Sequence, residues 1–375
     1  MFAVFIRPAE PKNTQIFYIR NELKALIFYF TIFGVLALYA GSKNWETGHT
    51  GVIPLLIGLF LTVFVGYRYE VGVDWPTYML IFSDISRMSL FEALTYGDPA
   101  YSIINWAVSR AGGQIWHVNL ICAALFFYGL IRFCSVLPRP GLALTVLVPM
   151  LVISTAMGYT RQATAVGFVM LAFVDFRGTE NWRWIAWLAV AVLFHRSAIF
   201  AFPLFAATGS NGAIPRIVVG GAIAVTLLLT VVMTNIGDVF SLYLEGDMES
   251  SGAIFRTTIG AIVGILYFII GNDKVFGERR GVVRNMAIAM IALLPMYVVI
   301  PSSTIVDRIG IILLPFQGAI LSSFSYYFRR RPGTEIFVSS IILIVYAAIL
   351  VIWLLFSSYA SYWTNYENFY FVQWL

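Results

Sequence analysis

Long apolar segments recur along nearly the whole of this chain, and only short polar stretches separate them. Hydrophobic residues make up 60% of the 375 positions, and the mean hydropathy is +0.83. A water-soluble domain cannot hide so large a share of apolar side chains, so the chain must reside in a lipid bilayer. The sequence therefore predicts an all-α, polytopic integral membrane protein.

About twelve of these segments are candidates for transmembrane helices, because a spanning helix needs about 20 apolar residues. They cover residues 25–40, 52–67, 114–133, 142–157, 162–176, 184–193, 198–207, 217–234, 257–271, 284–300, 309–328 and 336–358. Several are short, so we expect tilted, broken or partly inserted helices among them. We predict one integral membrane domain over residues 1–375, in which residues 1–24 form an N-terminal extension.

The composition gives no indication of nucleic acid, a disulfide or a metal. The sequence pI is about 9.1, but the basic residues are spread through short loops, as topology signals are. Cys122 and Cys134 would lie about 18 Å apart on one helix, too far for a disulfide between them. No Cys/His spacing and no carboxylate cluster indicates a metal, and we expect no cofactor.

The distribution of Lys and Arg predicts which side of the membrane each loop faces. The basic loops near residues 132–139, 177–183, 216, 274–284 and 329–331 fall on one side, predicted to be cytoplasmic. The opposite side then holds residues 159–161, 195–196, 237–256 and 301–308 and the aromatic tail, residues 359–375. Belt anchoring is the default role of that tail, and sugar stacking is the alternative.

The N-terminal third leaves two topologies open. Arg7, Lys12, Arg20 and Lys24 favour a cytoplasmic N-terminus, which would make residues 100–112 a span despite their polar side chains. We prefer an interfacial or re-entrant helix there. Residues 68–113 then form an extracytoplasmic loop, and the N-terminus lies outside.

The segment Arg68-Tyr-Glu-Val-Gly72-Val-Asp74-Trp75-Pro-Thr-Tyr78 concentrates polar and aromatic residues in a chain that is only 11% charged. Gly72 allows a tight backbone turn, and the residue before a proline is restricted to extended conformations. Tyr78 lies one helical turn beyond Asp74. This spacing indicates a structured motif at a membrane edge.

The same segment has residues suited to sugar chemistry. Asp74 is a candidate general base or hydrogen-bond acceptor for a hydroxyl, and Glu70 competes with it for that role. The rings of Trp75 and Tyr78 are candidates for binding a sugar or acceptor. Their alternative role is an interfacial aromatic belt.

Arg161 opens a helix directly after a break between two apolar segments. A helix N-terminus beside an arginine is suited to binding an anion, because free N–H groups and the helix dipole act together. A snorkelling interfacial arginine is the alternative. Its neighbours Tyr159 and Gln162 are candidates for sugar or acceptor binding.

His195 lies between two short apolar segments with almost no polar linker, so this turn must sit at or below the membrane surface. Ionisable groups at that depth are costly and indicate function. A histidine there can donate to a phosphate oxygen or take a proton near neutral pH. A hydrogen-bonded structural histidine is the alternative.

Asp307 and Arg308 precede another apolar helix, and the pair can also simply neutralise itself. Arg68, Arg161 and Arg308 are predicted to lie at helix edges on one face. Together they form a candidate clamp for a diphosphate, because bidentate geometry favours arginine. Asp307 is a second candidate for binding or deprotonating the acceptor.

The order of these motifs resembles that of the EpsG-like members of the Wzy-type bacterial O-antigen or exopolysaccharide polymerases. The resemblance covers nearly the whole chain. Its motifs are Arg68-x3-Gly72-x-Asp74-x3-Tyr78, Asp98-Pro-Ala-Tyr101, Arg161-Gln162, Phe194-His195-x-Ser197-Ala198 and Asp307-Arg308.

The resemblance implies a glycosyltransferase of the bacterial inner membrane with a GT-C-like architecture. Such enzymes move a growing glycan from undecaprenyl diphosphate onto a lipid-linked oligosaccharide repeat unit at the periplasmic face. A chain-length regulator protein is an implied partner, and no cofactor or nucleic acid is expected.

The candidate residues fit that chemistry. A glycosyl diphosphate already carries a good leaving group, so the main task is to stabilise the charge that develops on it. We assign this task to Arg68, Arg161, Arg308 and His195. Asp74 would orient and partly deprotonate the acceptor. A single direct displacement would invert the anomeric centre, and the arginines could replace a metal.

Three other functions are weighed against this one. An O-antigen ligase usually has one large periplasmic loop, whereas residues 237–256 form a modest one. A transporter or flippase of lipid-linked sugars favours pseudo-repeats and ionisable residues near the membrane midplane, which this sequence lacks. A membrane O-acyltransferase using His and Arg is a weaker alternative.

Overall fold

The computed structural model describes residues 12–41, 51–208, 252–270, 273–299, 303–364 and 366–368. Nearly all of this part of the chain is helical, which confirms the all-α class. Eleven of the predicted apolar segments coincide with helices, and residues 217–234 lie outside the described part. The helices are α1 (Lys12–Gly41), α2 (Val52–Gly66), α3 (Trp75–Ile85), α4 (Leu90–Thr95), α5 (Pro99–Arg110), α6 (Ile115–Ser135), α7 (Pro140–Leu147), α8 (Thr160–Asp175), α9 (Arg183–Phe194), α10 (Ala201–Ala206), α11 (Ala253–Ile270), α12 (Arg280–Val299), α13 (Ser303–Tyr327), α14 (Pro332–Phe356) and α15 (Ser361–Thr364).

Four of these helices, α6, α11, α13 and α14, are long and apolar enough to cross a membrane by length and composition. Several shorter apolar helices accompany them, including α2, α9 and the run Pro140–Ala156. This pattern fits a membrane protein. The count of about twelve spans and the GT-C-like architecture stay predictions.

Helix α8 is the centre of the described bundle. Residues 162–174 are all buried, because α6, α9 and α13 pack around them. Against α6 the backbones touch: a Cβ atom on Gly129 would overlap the carbonyl oxygen of Gly167, and one on Gly167 would lie 2.9 Å from Cα of Phe126. Small residues allow this close approach within a bilayer, where van der Waals packing holds helices together. Arg161 and Asp175 therefore lie at opposite ends of a rigid element.

A π-helical segment, Val148–Ala156, continues α7 and ends just before α8. The C-terminal part of the chain packs against it. The indole of Trp363 donates a hydrogen bond of 2.9 Å to the carbonyl of Ile153, and its ring lies over Gly158. The hydroxyl of Tyr29 donates to the carbonyl of Trp363. Trp363 is therefore buried against the rest of the protein. It does not serve as a membrane-belt anchor or a sugar-stacking residue, the two roles expected of the tail.

Residues 68–113 form three short helices, α3, α4 and α5, at one end of the bundle. Helix α5 is 12 residues long, about 18 Å, whereas a bilayer core is about 30 Å thick. Strand β1 (Arg68–Tyr69) pairs antiparallel with strand β2 (Glu367–Asn368) beside them. Helix α1 begins at Lys12. It therefore includes residues 12–24 of the predicted N-terminal extension together with the first apolar segment.

Candidate functional site

The loop that carries Asp74 is fixed by two residues with positive φ, Glu70 at 52° and Gly72 at 97°. Glycine is required at the second position, because a Cβ atom there would lie 2.7 Å from the carbonyl oxygen of Met157. The N–H of Gly72 donates to the carbonyl of Tyr362 at 3.0 Å. The loop is therefore docked on the break before α8, and Asp74 follows at the start of α3.

Arg161 lies in the first turn of α8 and bridges to α5. Its Nη1 donates to Oδ2 of Asp98 at 2.8 Å, and its guanidinium carbon lies 5.8 Å and 6.0 Å from the ring centroids of Tyr78 and Tyr101. The side chain remains 28% exposed. Arg161 is therefore held on one side and open to a ligand on the other. Sequence reasoning quoted Asp98 only as part of a motif and did not assign it to the site.

A chain of hydrogen bonds connects Gln162, Ser197 and His195. Gln162 Nε2 donates to the hydroxyl of Ser197 at 3.4 Å, and that hydroxyl lies 2.7 Å from Nδ1 of His195. The backbone N–H of Ser197 also donates to Nδ1, at 3.3 Å. Because Nδ1 accepts, we assign the proton of the neutral imidazole to Nε2.

The charge state of His195 follows from its surroundings. Burial, together with the nearby Arg308, Arg161 and Arg196, lowers the pKa of His195 to about 3. The imidazole is therefore neutral at physiological pH, with its proton on Nε2. It can donate a hydrogen bond there, whereas its Nδ1 is already occupied.

The same arginines also influence the pKa values of two nearby carboxylates, Asp74 and Asp98. Burial raises the pKa of Asp74, and Arg161 and Arg308 oppose that rise. Burial also raises the pKa of Asp98, which the same two arginines and Arg196 oppose. These shared electrostatic influences indicate that residues from five segments of the chain lie near one another. We call this set, Asp74, Asp98, Arg161, Gln162, His195 and Arg308, the polar cluster.

The polar cluster is suited to an anion. Arg308 belongs to it through its backbone as well, since its carbonyl accepts from Gln162 Nε2 at 2.7 Å. Among the described residues, Arg161 and Arg308 act on the carboxylates of both Asp74 and Asp98, and Arg196 acts on Asp98. Arginine has the fork geometry that suits phosphate oxygens, and the binding of a diphosphate by this cluster stays a prediction.

Asp307 forms a buried ion pair with Arg256. Nε and Nη2 of Arg256 donate to its two carboxylate oxygens at 2.7–2.9 Å, and both side chains are buried. This ion pair joins α11 to α13, and the role of Asp307 in binding or deprotonating the acceptor stays a prediction. Sequence reasoning missed Arg256, because nothing in the sequence connects positions 51 residues apart.

Tyr159 is close enough to this ion pair and to Asp74 for all three residues to influence it. The pKa of Tyr159 is raised to about 12, mainly by burial, and Arg256, Asp307 and Asp74 all influence it. Its hydroxyl therefore stays protonated and can act as a donor. Its predicted contact with sugar stays a prediction.

Arg68 is set apart from the open side of the cluster. It is 1% exposed, and its guanidinium donates to the carbonyl of Val65 and to the hydroxyl of Thr160. A cavity of about 10 Å³, just large enough for one water, lies among Arg68, Asn119 and Thr160. Arg68 thus supports the first residue of α8, and its contact with a diphosphate stays a prediction.

The two aromatic candidates for sugar binding, Trp75 and Tyr78, are also buried. Trp75 packs edge-on against Tyr69 at 5.7 Å, and Tyr78 packs against Tyr101 at 5.8 Å. In this arrangement they shape the loop and the aromatic surroundings of Arg161. Their role in binding a sugar or acceptor stays a prediction.

Among the residues that the structure describes, no group of three or more His, Cys, Asp or Glu side chains could hold a metal ion. Independence from metal remains a prediction. Positive charge at the site comes from the arginines of the polar cluster.

Several long apolar helices with this polar cluster at one end of their bundle fit an integral membrane protein. Residues 51–368 match the model of the EpsG family, so the chain belongs to that family. All the cluster residues lie within the matched range. The family suggests a glycosyltransferase-like polymerase in polysaccharide biosynthesis. No curated protein and no solved structure matches the chain.

The docking of the Asp74 loop can be tested at Gly72. We expect Gly72→Ala to destabilise the protein by about 1–3 kcal/mol, because a side chain at positive φ is strained and would meet Met157. Thermal unfolding of the purified protein in detergent measures this. The matched control is Gly97→Ala, where nothing lies within 4 Å of the added Cβ atom. Equal melting temperatures for both variants would contradict the docking.

Proposed function

We propose that this chain is a polysaccharide polymerase of the bacterial inner membrane, with about twelve spans in a GT-C-like architecture. It transfers a growing glycan from undecaprenyl diphosphate onto a lipid-linked oligosaccharide repeat unit at the periplasmic face. Membership of the EpsG family supports this. The observation that carries the proposal is that Arg161 and Arg308 lie near both Asp74 and a neutral, Nε2-protonated His195.

On the donor side of the reaction, the negative charge that develops on the leaving diphosphate must be stabilised. As the bond between the sugar C1 and the diphosphate oxygen breaks, both bonding electrons leave with the diphosphate. Arg161 and Arg308 would hold this leaving group, and His195 would donate its Nε2 proton as a hydrogen bond without transferring it. Such preorganised donors stabilise developing charge most strongly where water is excluded. Their positive charge makes a metal unnecessary.

The acceptor half needs an oriented hydroxyl. Asp74 would accept the hydrogen bond of this hydroxyl and take its proton as the new bond to C1 forms. Because burial raises the pKa of Asp74, its carboxylate is a stronger base than an exposed aspartate. A single displacement of this kind inverts the configuration at C1. Asp98 does not enter the reaction; it holds Arg161 in place.

The role of Arg161 is tested by glycan chain length in a deletion strain. Arg161→Ala should reduce polymerisation about 10²–10³-fold, leaving mainly single repeat units, because a donor to the leaving group is lost. The matched control is Arg87→Ala, an exposed arginine at the same end of the bundle. Full-length ladders from a stably inserted Arg161→Ala variant would contradict the assignment. Loss of even the single unit from the surface would point to ligation or export.

The role of His195 is tested by two amide substitutions. In His195→Gln the amide nitrogen can occupy the place of Nε2, whereas in His195→Asn the amide lies near the place of Nδ1. We expect His195→Gln to keep at least ten times the activity of His195→Asn, measured by polymerisation in proteoliposomes. The reverse order, or equal activities, would contradict donation from Nε2.

The pH dependence of the activity distinguishes the contribution of His195 from that of Asp74. His195 has a pKa of about 3, so its neutral form persists and it should give no step between about pH 5 and pH 8. Asp74 is active as the carboxylate, and its raised pKa predicts that activity falls with acid at a pH above 3.8. The measurement is a pH–rate profile in proteoliposomes. A step near pH 6.5 that His195→Gln abolishes would contradict this assignment.

A further inference from the structure

A second basic site lies at the opposite end of α8 from the polar cluster. Arg161 and Asp175 are 14 positions apart on this helix, about 21 Å. Near Asp175, the ends of α6 and α8 meet the 3₁₀ turn Asp273–Arg279 around a cavity of about 510 Å³. Its charged lining consists of Arg132, Asp175, Arg177, Glu278 and Arg279.

Two of these arginines are fixed by the last carbonyls of α8. Arg279 donates from Nε to the carbonyl of Phe173 at 2.9 Å and from Nη2 to that of Val174 at 2.6 Å. Arg177 donates from Nη1 to the carbonyls of Val174 and Phe176, at 3.1 Å and 3.0 Å. Cations favour helix C-termini for this reason. Both guanidinium groups keep further N–H donors, Nη1 of Arg279 and Nη2 of Arg177, for a ligand.

The two acidic residues that line the cavity, Asp175 and Glu278, offset little of the positive charge of its arginines. Asp175 accepts from the indole of Trp187 at 2.9 Å and lies 3.8 Å from Arg183 outside the cavity lining. Glu278 is exposed. Burial and the neighbouring Arg177 together lower the pKa of Arg279 to about 10, although Glu278 and Asp175 oppose this shift. Like charges thus gather here, which an anion would relieve.

Apart from Ser135, the remaining lining is apolar, with Val136, Val275 and Phe276 beside the charges. Tyr128, one helical turn before Arg132 on the same face of α6, is 58% exposed. The cavity therefore combines fixed arginine donors with an apolar wall at the end of the helices. Its size is that of a pocket for a small molecule or a lipid headgroup.

We propose that this pocket, lined by Arg132, Arg177 and Arg279, binds a phosphate group, carried by an anionic lipid or by a soluble phosphate ester. The site is independent of the proposed polymerase reaction, because it shares no residue with the polar cluster. Phosphate accepts several charge-assisted hydrogen bonds at once, which suits guanidinium groups held at different angles. The apolar wall favours the lipid as the source.

The test uses the full chain purified in a zwitterionic detergent. Native mass spectrometry would measure adducts with phosphatidylglycerol, with phosphatidylcholine as the lipid control and glycerol phosphate as the soluble probe. We expect phosphatidylglycerol to bind at least tenfold more tightly than phosphatidylcholine. Competition by millimolar glycerol phosphate, or binding of this probe alone, would identify a soluble ester as the source.

The variants locate the binding. Arg132→Gln combined with Arg177→Gln should weaken phosphate binding at least tenfold, whereas Arg329→Gln combined with Arg330→Gln removes equal charge from exposed positions at the same end and should change it less than twofold. Arg132→Gln alone leaves both capping arginines in place, so a weaker adduct from it cannot be due to misfolding of α8. Equal adducts in wild type and both cavity variants, or no adduct with either probe, would overturn the proposal.

Discussion

Three consecutive residues at the start of α8 each connect this helix to a different part of the chain. Thr160 accepts from the buried Arg68, Arg161 forms an ion pair with Asp98, and Gln162 donates to the carbonyl of Arg308 and to Ser197. Polar groups inside an apolar bundle are costly unless they are paired, so these bonds fix the relative positions of α2, α5, α8 and α13. The geometry of the polar cluster depends on this one turn.

The fixed positions of these residues also determine the electrostatic field in the polar cluster. Asp98 neutralises part of Arg161, and Arg256 neutralises Asp307, whereas the positive field at His195 comes from Arg161, Arg196 and Arg308. That same field keeps His195 neutral and limits how far burial can raise the pKa of Asp74. The same arginines therefore favour a neutral hydrogen-bond donor at His195 and an ionised carboxylate at Asp74.

Much of this arrangement could be predicted from the sequence. The apolar segments predicted the helices, and charges at helix edges indicated that Asp74, Arg161, His195 and Arg308 share one end of the bundle. The depth of each side chain could not be predicted, because a helix-edge arginine such as Arg68 looks the same whether it is buried or open. Long-range partners, such as Arg256 for Asp307 and Trp363 for Ile153, leave no local signal, since packing alone selects them.

The measurement that tests the central claim most directly is an electron cryo-microscopy structure of the protein with undecaprenyl diphosphate. The account predicts diphosphate oxygens within about 2.7–3.2 Å of the guanidinium groups of Arg161 and Arg308 and of Nε2 of His195. A diphosphate bound elsewhere, touching none of these three side chains, would contradict the account.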